Sequence, residues 1–191
     1  MAARSKLEVD ISMALEIPGW VTEPELQWLA EQASNLRPDS RVVEIGTFLG
    51  RSALAIAYNL EPEESRLICI DPYTEYGDPL IGPQLWEDIY GTAKDTLAGC
   101  VTATLLREPS LRAALHFHDR TIEMIFIDGD HSYSAVMADI TAWERTIKPG
   151  GLICGHDYGV HPGVKQAVDE SFPFGRIKFP AGSIWAVRKP Q

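Results

Sequence analysis

The stretch Val42–Ser52, VVEIGTFLGRS, constrains the fold of this chain more than any other. Val42, Val43 and Ile45 form a short apolar, β-branched run, the pattern of a strand covered on both faces. Gly46 and Gly50 bracket Thr47, Phe48 and Leu49, and glycines there let the backbone bend sharply and let a ligand approach its N–H groups. From Arg51 to Asn59 the pattern turns helical, with Leu54, Ile56, Ala57 and Leu60 available for the inner side. Strand, glycine turn and helix, in that order, is the nucleotide-binding arrangement of doubly wound α/β folds. Glu44 interrupts the apolar run just before the turn, where a carboxylate is costly unless something pairs with it.

The motif reads E-x-G-x-x-x-G rather than G-x-G-x-x-G. The middle glycine of the dinucleotide fingerprint lets backbone touch a pyrophosphate, and Phe48 fills that place here. The loop therefore suits a ligand without phosphates better than it suits NAD.

The rest of the chain repeats the same alternation. Residues Met1–Pro18 show no clear period and read as an arm or a short helix, with Met13, Leu15 and Ile17 free to cover the protein or a partner. Thr22-Glu-Pro-Glu25 is a helix start, with Thr22 as cap and Glu25 at the capping-box position. Arg66–Ile70 is a second buried strand ending at Asp71, and the βαβ unit so formed crosses over right-handed. An acid at that tip is placed to accept hydrogen bonds from both ribose hydroxyls. Tyr73–Pro83 reads as a loop suited to act as a flap, and Gln84–Ala98 as a helix. Val101–Leu106 and Thr121–Asp128 are further strands, with a short helix opened by Glu108-Pro-Ser110 between them. Ser132–Ile147 is helical, Lys148-Pro-Gly-Gly151 is a turn, and Leu152–Cys154 is the fifth strand. A helix over Gly163–Phe172 and a hairpin pairing Arg176–Phe179 with Ser183–Val187 close the chain.

In a parallel sheet of this kind, ligands sit beyond the carboxyl ends of the strands. Glu44, Asp71, Asp128 and the pair His156-Asp157 all fall at such ends. Packing alone gives no reason to collect acids there. Asp130 reads as a cap for the helix that follows, His116, His118 and His161 as surface residues, Trp185 as core, and Tyr158 as either pocket lining or packing.

Composition excludes several classes. A formal net charge of -10 argues against a nucleic-acid backbone or an anionic membrane as the main partner. No apolar run approaches the roughly 18 residues of a membrane span, and no secretory signal is evident. Cys69, Cys100 and Cys154 have no metal spacing and read as buried thiols in a reducing cytoplasm. The chain reads as an arm over residues 1–20 and a single domain over 21–191. The apolar arm leaves a homodimer open.

The segments VVEIGTFLGRS, ICIDPY, FIDGDHSYSAVMADI and KPGGLICGHDYGVHPGVKQAVDE together resemble the class I S-adenosylmethionine-dependent methyltransferases. The likeness runs from about Pro18 to Val187 and is nearest to the small macrocin-type O-methyltransferases, the methyltransferase-24 group. It implies a Rossmann-like α/β fold, doubly wound, with a seven-stranded, mostly parallel sheet of order 3-2-1-4-5-7-6 and one antiparallel strand. It implies that Glu44, Gly46, Thr47, Phe48 and Gly50 cradle the methionine part of S-adenosylmethionine, with Ser52 helping to hold its carboxylate. By the same likeness Asp71 holds the ribose, Pro72 and Tyr73 border the adenosyl group, and Asp128 belongs to both the cofactor pocket and the catalytic centre. Asp128, His156 and Asp157 fall where metal-dependent relatives place their ligands, so a divalent ion, magnesium or manganese, is implied. His131 falls where the macrocin-type relatives place a catalytic base. The relatives usually carry two acids, or an acid and an amide, where this chain has His156 and Asp157, and imidazole suits softer divalent ions better than magnesium.

The expected activity is methyl transfer to a small hydroxylated acceptor, a sugar or natural product. Two other readings stay open: a nicotinamide oxidoreductase, which Phe48 disfavours, and an S-adenosylmethionine-binding module without catalysis.

Overall fold

A computed structural model describes residues 9–74 and 83–191. Among these, one sheet carries the architecture. Its strands are β1 (Arg41–Ile45), β2 (Arg66–Ile70), β3 (Ala103–Leu106), β4 (Ile122–Ile127), β5 (Ile147–Gly155) and β6 (Trp185–Arg188). They lie in the order β3-β2-β1-β4-β5-β6, parallel throughout except for the antiparallel β5–β6 pair. Helices α3 (Arg51–Ala57), α4 (Pro83–Leu97), α5 (Ser110–Ala113), α6 (Tyr133–Glu144) and α7 (Pro162–Ser171) connect successive strands. Helices α1 (Ser12–Glu16) and α2 (Glu23–Ser34) precede the sheet.

Side chains alternate across the strands, so each face has its own core. Val42, Leu67, Cys69, Met124, Phe126, Leu152 and Cys154 face one way, toward α2 and α3. Val43, Ile45, Ile125, Ile127 and Ile153 face the other way, toward α6 and α7. The strands are apolar on both sides because both faces are covered, the expected consequence of parallel crossovers. Burying Phe126 completely contributes roughly 1.5–3 kcal/mol. All three cysteines are buried free thiols, and Trp185 is core, as the sequence indicates.

Two expectations need correction. Among the described residues the sheet has six strands rather than seven, because the closing hairpin is reduced to a single bridge. Phe174–Arg176 is a 3₁₀ turn, and only Lys178 pairs with β6, through an isolated antiparallel bridge to Ala186. Pro180 has no N–H to carry a ladder further. The bridge lies outside β6, where the expected order puts its sixth strand. Second, Ile147 begins β5 instead of ending α6. It pairs with Ile122, and the register then jumps so that Met124 meets Leu152. The residues Lys148-Pro-Gly-Gly151 form this irregularity inside the strand, where a proline and a glycine at φ 77° are tolerated. Residues 75–82 of the expected flap, and residues 1–8 of the arm, lie outside the described residues.

Strand register positions the site. Ile45 is level with Ile70 and Ile127, and Ile127 with Gly155. The next residue along each strand is therefore Gly46, Asp71, Asp128 and His156, in one row along the carboxyl rim. Backbone bonds hold the row: Gly46 N–H donates to Ile70 O (2.9 Å), Asp128 N–H to Ile45 O (2.8 Å) and His156 N–H to Ile127 O (3.1 Å).

Candidate active site

At the β1 end of the rim, Glu44 lies on the face that α3 covers and is fully buried. Ser52, in the first turn of α3, donates its hydroxyl to Glu44 Oε1 at 2.6 Å. Oε2 has no hydrogen-bond partner, and neither has the buried hydroxyl of Thr47. Burial raises the Glu44 carboxyl to about 8, against the bond from Ser52 and with the help of the nearby charges of Asp128 and Asp71. An orphaned acid oxygen of this kind is satisfied by a cation or a proton donor that the protein does not itself supply.

Gly46 is tight against the loop after β4. A Cβ there would sit 2.1 Å from Asp128 O, and φ is 84°. Gly50, at φ 91°, precedes α3 and donates its N–H to Thr47 O. Between them Phe48 is left-handed at φ 49°, as is Tyr73 after β2. Asp71 fixes both bends. Its Oδ2 accepts from Thr47 N–H and Phe48 N–H, each at 3.0 Å, and its Oδ1 from Tyr73 N–H at 2.8 Å. The Tyr73 hydroxyl then donates to Phe48 O (3.2 Å). Pro72 lies between, half-buried, with its carbonyl toward Arg107. The structure thus brings Glu44, Gly46, Thr47, Phe48, Gly50, Ser52, Asp71, Pro72 and Tyr73 to one place. It also shows that Asp71 organises the loop, a task its position at the strand end does not reveal.

Beside this cradle, two loops converge. Asp157 Oδ2 lies 2.9 Å from His131 Nε2 and 3.4 Å from His156 Nδ1. Asp128 Oδ1 lies 3.5 Å from His156 Nδ1 and 3.9 Å from His131 Nε2. Asp157 is left-handed at φ 64°, the third such non-glycine on this rim, and backbone strain of that kind collects at functional sites. Asp130 turns away and accepts from Ser132 N–H (2.7 Å), so the cap of α6 is Ser132, whose hydroxyl accepts from Ala135 N–H, and not Asp130. The neighbouring Asp128 and Asp157 carboxylates raise His131 to about 9, against partial burial. His156 rises to about 11, burial being outweighed by the same two carboxylates. Asp157 is held well below the ordinary range, burial being outweighed by its two histidines. Two carboxylates thus hold protons on two imidazoles, and an entering cation competes with those protons.

The carboxylates and imidazoles fit a divalent ion. Asp128, His156 and Asp157 each offer one ligand atom, all within 4.8 Å of one another. Ligand atoms around a first-row ion with bonds near 2.1 Å stand roughly 3.0–3.4 Å apart, close to the separations seen here.

Three neighbours escape a reading of the sequence. His161 is stacked on His131, with centroids 4.4 Å apart. Trp20, 77% exposed, lies over Phe48 at 5.2 Å. Glu25, the capping-box residue, is only 2% exposed and places Oε1 3.2 Å from His156 Nε2. Only its capping role has a local signal, because its other contacts cross most of the chain. Tyr158 packs, its ring against Phe179 and its hydroxyl on Asp169.

A doubly wound sheet, a glycine cradle after β1 and an acidic rim after β4 and β5 are the layout of the Rossmann-like methyltransferase fold. A family model described as a methyltransferase domain, methyltransferase-24, matches residues 43–158, more than half of the chain, and the chain belongs to that family. Among solved structures, the chain is similar to a protein of Corynebacterium glutamicum (TM-score 0.70, 15% identity, covering 98% of this chain and 93% of that one). It is likewise similar to a methyltransferase from Geobacter sulfurreducens (0.66, 18%, 90% and 80%). A third similar structure is the O-methyltransferase from Bacillus cereus in complex with SAH (0.62, 18%, 94% and 87%). These likenesses bear on the fold. An uncharacterized protein of Sinorhizobium fredii, y4gI, is 28% identical over 123 residues, 64% of this chain, and the chain spans only 13% of its length.

Proposed function

We propose that this protein moves the methyl group of S-adenosylmethionine to a hydroxyl oxygen of a small acceptor, with a divalent ion at Asp128, His156 and Asp157. The observation that carries the reading is the orphaned, buried Oε2 of Glu44, set in a glycine cradle that touches the loop bearing Asp128. A carboxylate so placed pairs with an ammonium group, which the methionine end of the cofactor carries. The solved structure with SAH named above supports the same choice of ligand.

The reaction is a displacement. An acceptor oxygen forms a bond to the methyl carbon while the carbon–sulfur bond breaks, and the sulfonium becomes a neutral thioether. The protein must align oxygen, carbon and sulfur, and alignment can lower the barrier by several kcal/mol, about 7–11 at the extreme. Glu44, Ser52, Thr47 and Asp71 fix the cofactor end. His131 Nε2 takes the hydroxyl proton. In the free protein His131 holds its own proton on account of Asp128 and Asp157, so it serves as base once another cation answers those charges. A bound ion would supply that charge, lower the hydroxyl pKa and fix the acceptor oxygen. One of the three proposed ligands is an imidazole, which favours manganese, iron or zinc over magnesium.

Calorimetry with S-adenosylmethionine and with NAD tests the cofactor. Binding of NAD alone overturns the reading. An acceptor panel run with and without a chelator, followed by manganese add-back, tests the metal: turnover that survives full chelation removes it from the mechanism.

A further inference from the structure

We propose that Glu25 is the positioning residue that turns His156 into a metal ligand, forming a carboxylate–histidine–ion relay. This rests on the metal reading above and names a component that the reading lacks. A neutral imidazole can give a lone pair through one nitrogen only, and its other nitrogen must then carry the proton. His156 presents Nδ1 to Asp128 and Asp157, at 3.5 and 3.4 Å. The proton therefore belongs on Nε2. That nitrogen is buried and makes no aligned hydrogen bond, yet Glu25 Oε1 stands 3.2 Å from it. Small rotation of the ring on meeting an ion completes the bond.

The position of Glu25 exceeds what its helix requires. Capping uses only Oε2, which accepts from the N–H and the hydroxyl of Thr22, both at 2.7 Å. Oε1 is held separately, by the N–H of Ser183 at 2.8 Å and its hydroxyl at 3.1 Å. The turn that carries Ser183 is shaped around this oxygen. Gly182 has φ 46°, and a Cβ there would lie 2.2 Å from Oε1. A capping residue at a helix end is ordinarily solvated, whereas this one is sealed between α2, the approach to β6 and the β5 rim. Two segments distant in sequence hold one acid oxygen against the back of one imidazole. Partners of that kind fix ring orientation and tautomer and make the ligand more basic.

The test measures Mn²⁺ affinity of the full chain by calorimetry and by the electron paramagnetic resonance signal of free Mn²⁺. Glu25→Gln is expected to weaken Mn²⁺ binding about 10–100-fold while S-adenosylmethionine still binds. Thr22→Val, which removes a contact to Oε2 alone, is expected to lower Tm but to leave Mn²⁺ affinity within about 3-fold. A folded Glu25→Gln variant that binds Mn²⁺ like the parent overturns the inference alone. A parent protein that binds no Mn²⁺ overturns the metal reading and the inference with it. Should Glu25→Gln fail to fold, nitrogen-15 NMR of the parent loaded with Zn²⁺ decides: Nδ1 coordinated with Nε2 protonated supports the relay, and the reverse tautomer overturns it.

Discussion

His131 Nε2 lies 2.9 Å from Asp157 Oδ2, although the two residues follow different strands. The contact ties the loop after β4 to the loop after β5 across the mouth of the proposed acceptor site. If His131 is the base, His131→Ala lowers kcat by about 10²–10⁴ and leaves the calorimetric affinity for S-adenosylmethionine unchanged. His161→Ala, which removes only the stacked ring, lowers kcat less than tenfold. Equal losses in the two variants would mean that the ring stack, rather than proton transfer, is what matters.

Glu44 gives the protein a pH dependence whose sign is fixed by burial. Its folded-state pKa of about 8 lies above the ordinary 4.5. Below about 4.5 the group is protonated whether the chain is folded or not, and nothing is lost. As pH rises toward 8 the unfolded chain releases a proton that the folded chain retains, so stability falls, by on the order of a few kcal/mol in all. Glu44→Gln cannot titrate. The variant is expected to match the parent in Tm near pH 4.5 and to exceed it increasingly up to pH 8, in the absence of cofactor. Thermal unfolding across that range checks it, and parallel curves would show that Glu44 is ionised at no cost. Bound S-adenosylmethionine should erase the difference, since an ammonium beside Oε2 makes the charged form the favoured one.

Much of this was legible in the chain. β1, β2 and β4 are runs of branched and aromatic apolar residues, and the residue that breaks each run is an acid or a glycine. Register then converts position at a strand end into adjacency on a rim, so Asp71, Asp128 and His156 come together without any local signal joining them. Where the reading went astray, the cause is also physical. Ile147 fits a helical stripe as well as a strand, and only pairing with Ile122 decides between them. The expected sixth strand shrinks to one bridge at Lys178 because turn residues flank it on both sides. Glu25 satisfies a capping pattern so completely that nothing in the sequence suggests a second task, and His161 becomes part of the site only because α7 begins beside His131.

Gly46 tests whether the cradle depends on backbone contact. Its φ of 84° is unfavourable for any side chain, and a Cβ would collide with backbone atoms of Asp128 and Gly129, which cannot move aside as a flexible side chain would. Gly46→Ala is expected to destabilise the fold by roughly 3 kcal/mol or more and to weaken cofactor binding at least tenfold in whatever fraction remains folded. Chemical denaturation gives the first quantity and calorimetry the second. An alanine variant with parental stability would mean that the two loops can part freely.

Arg51 belongs to the glycine-turn motif by sequence, yet its side chain leaves the cofactor loop and gathers the N-terminal segment. Its Nε donates to Val21 O at 2.9 Å, and its Nη1 to Ile17 O at 2.5 Å and Leu15 O at 3.1 Å. Those carbonyls close the end of α1 and the approach to α2, and the same approach carries Trp20 over Phe48 and leads into Glu25. Arg51→Met keeps the aliphatic stem and removes the donors, leaving carbonyls without their charged partner. The expected loss is about 1.5–3 kcal/mol. Because Ala14 and Val21 are buried against the same helix, the loss should be concentrated there. Amide hydrogen exchange should therefore quicken across residues 14–21 while β1 and β4 keep their protection. If the segment exchanges at the parental rate, packing of Ala14 and Val21 holds it without the guanidinium, and the clamp is dispensable.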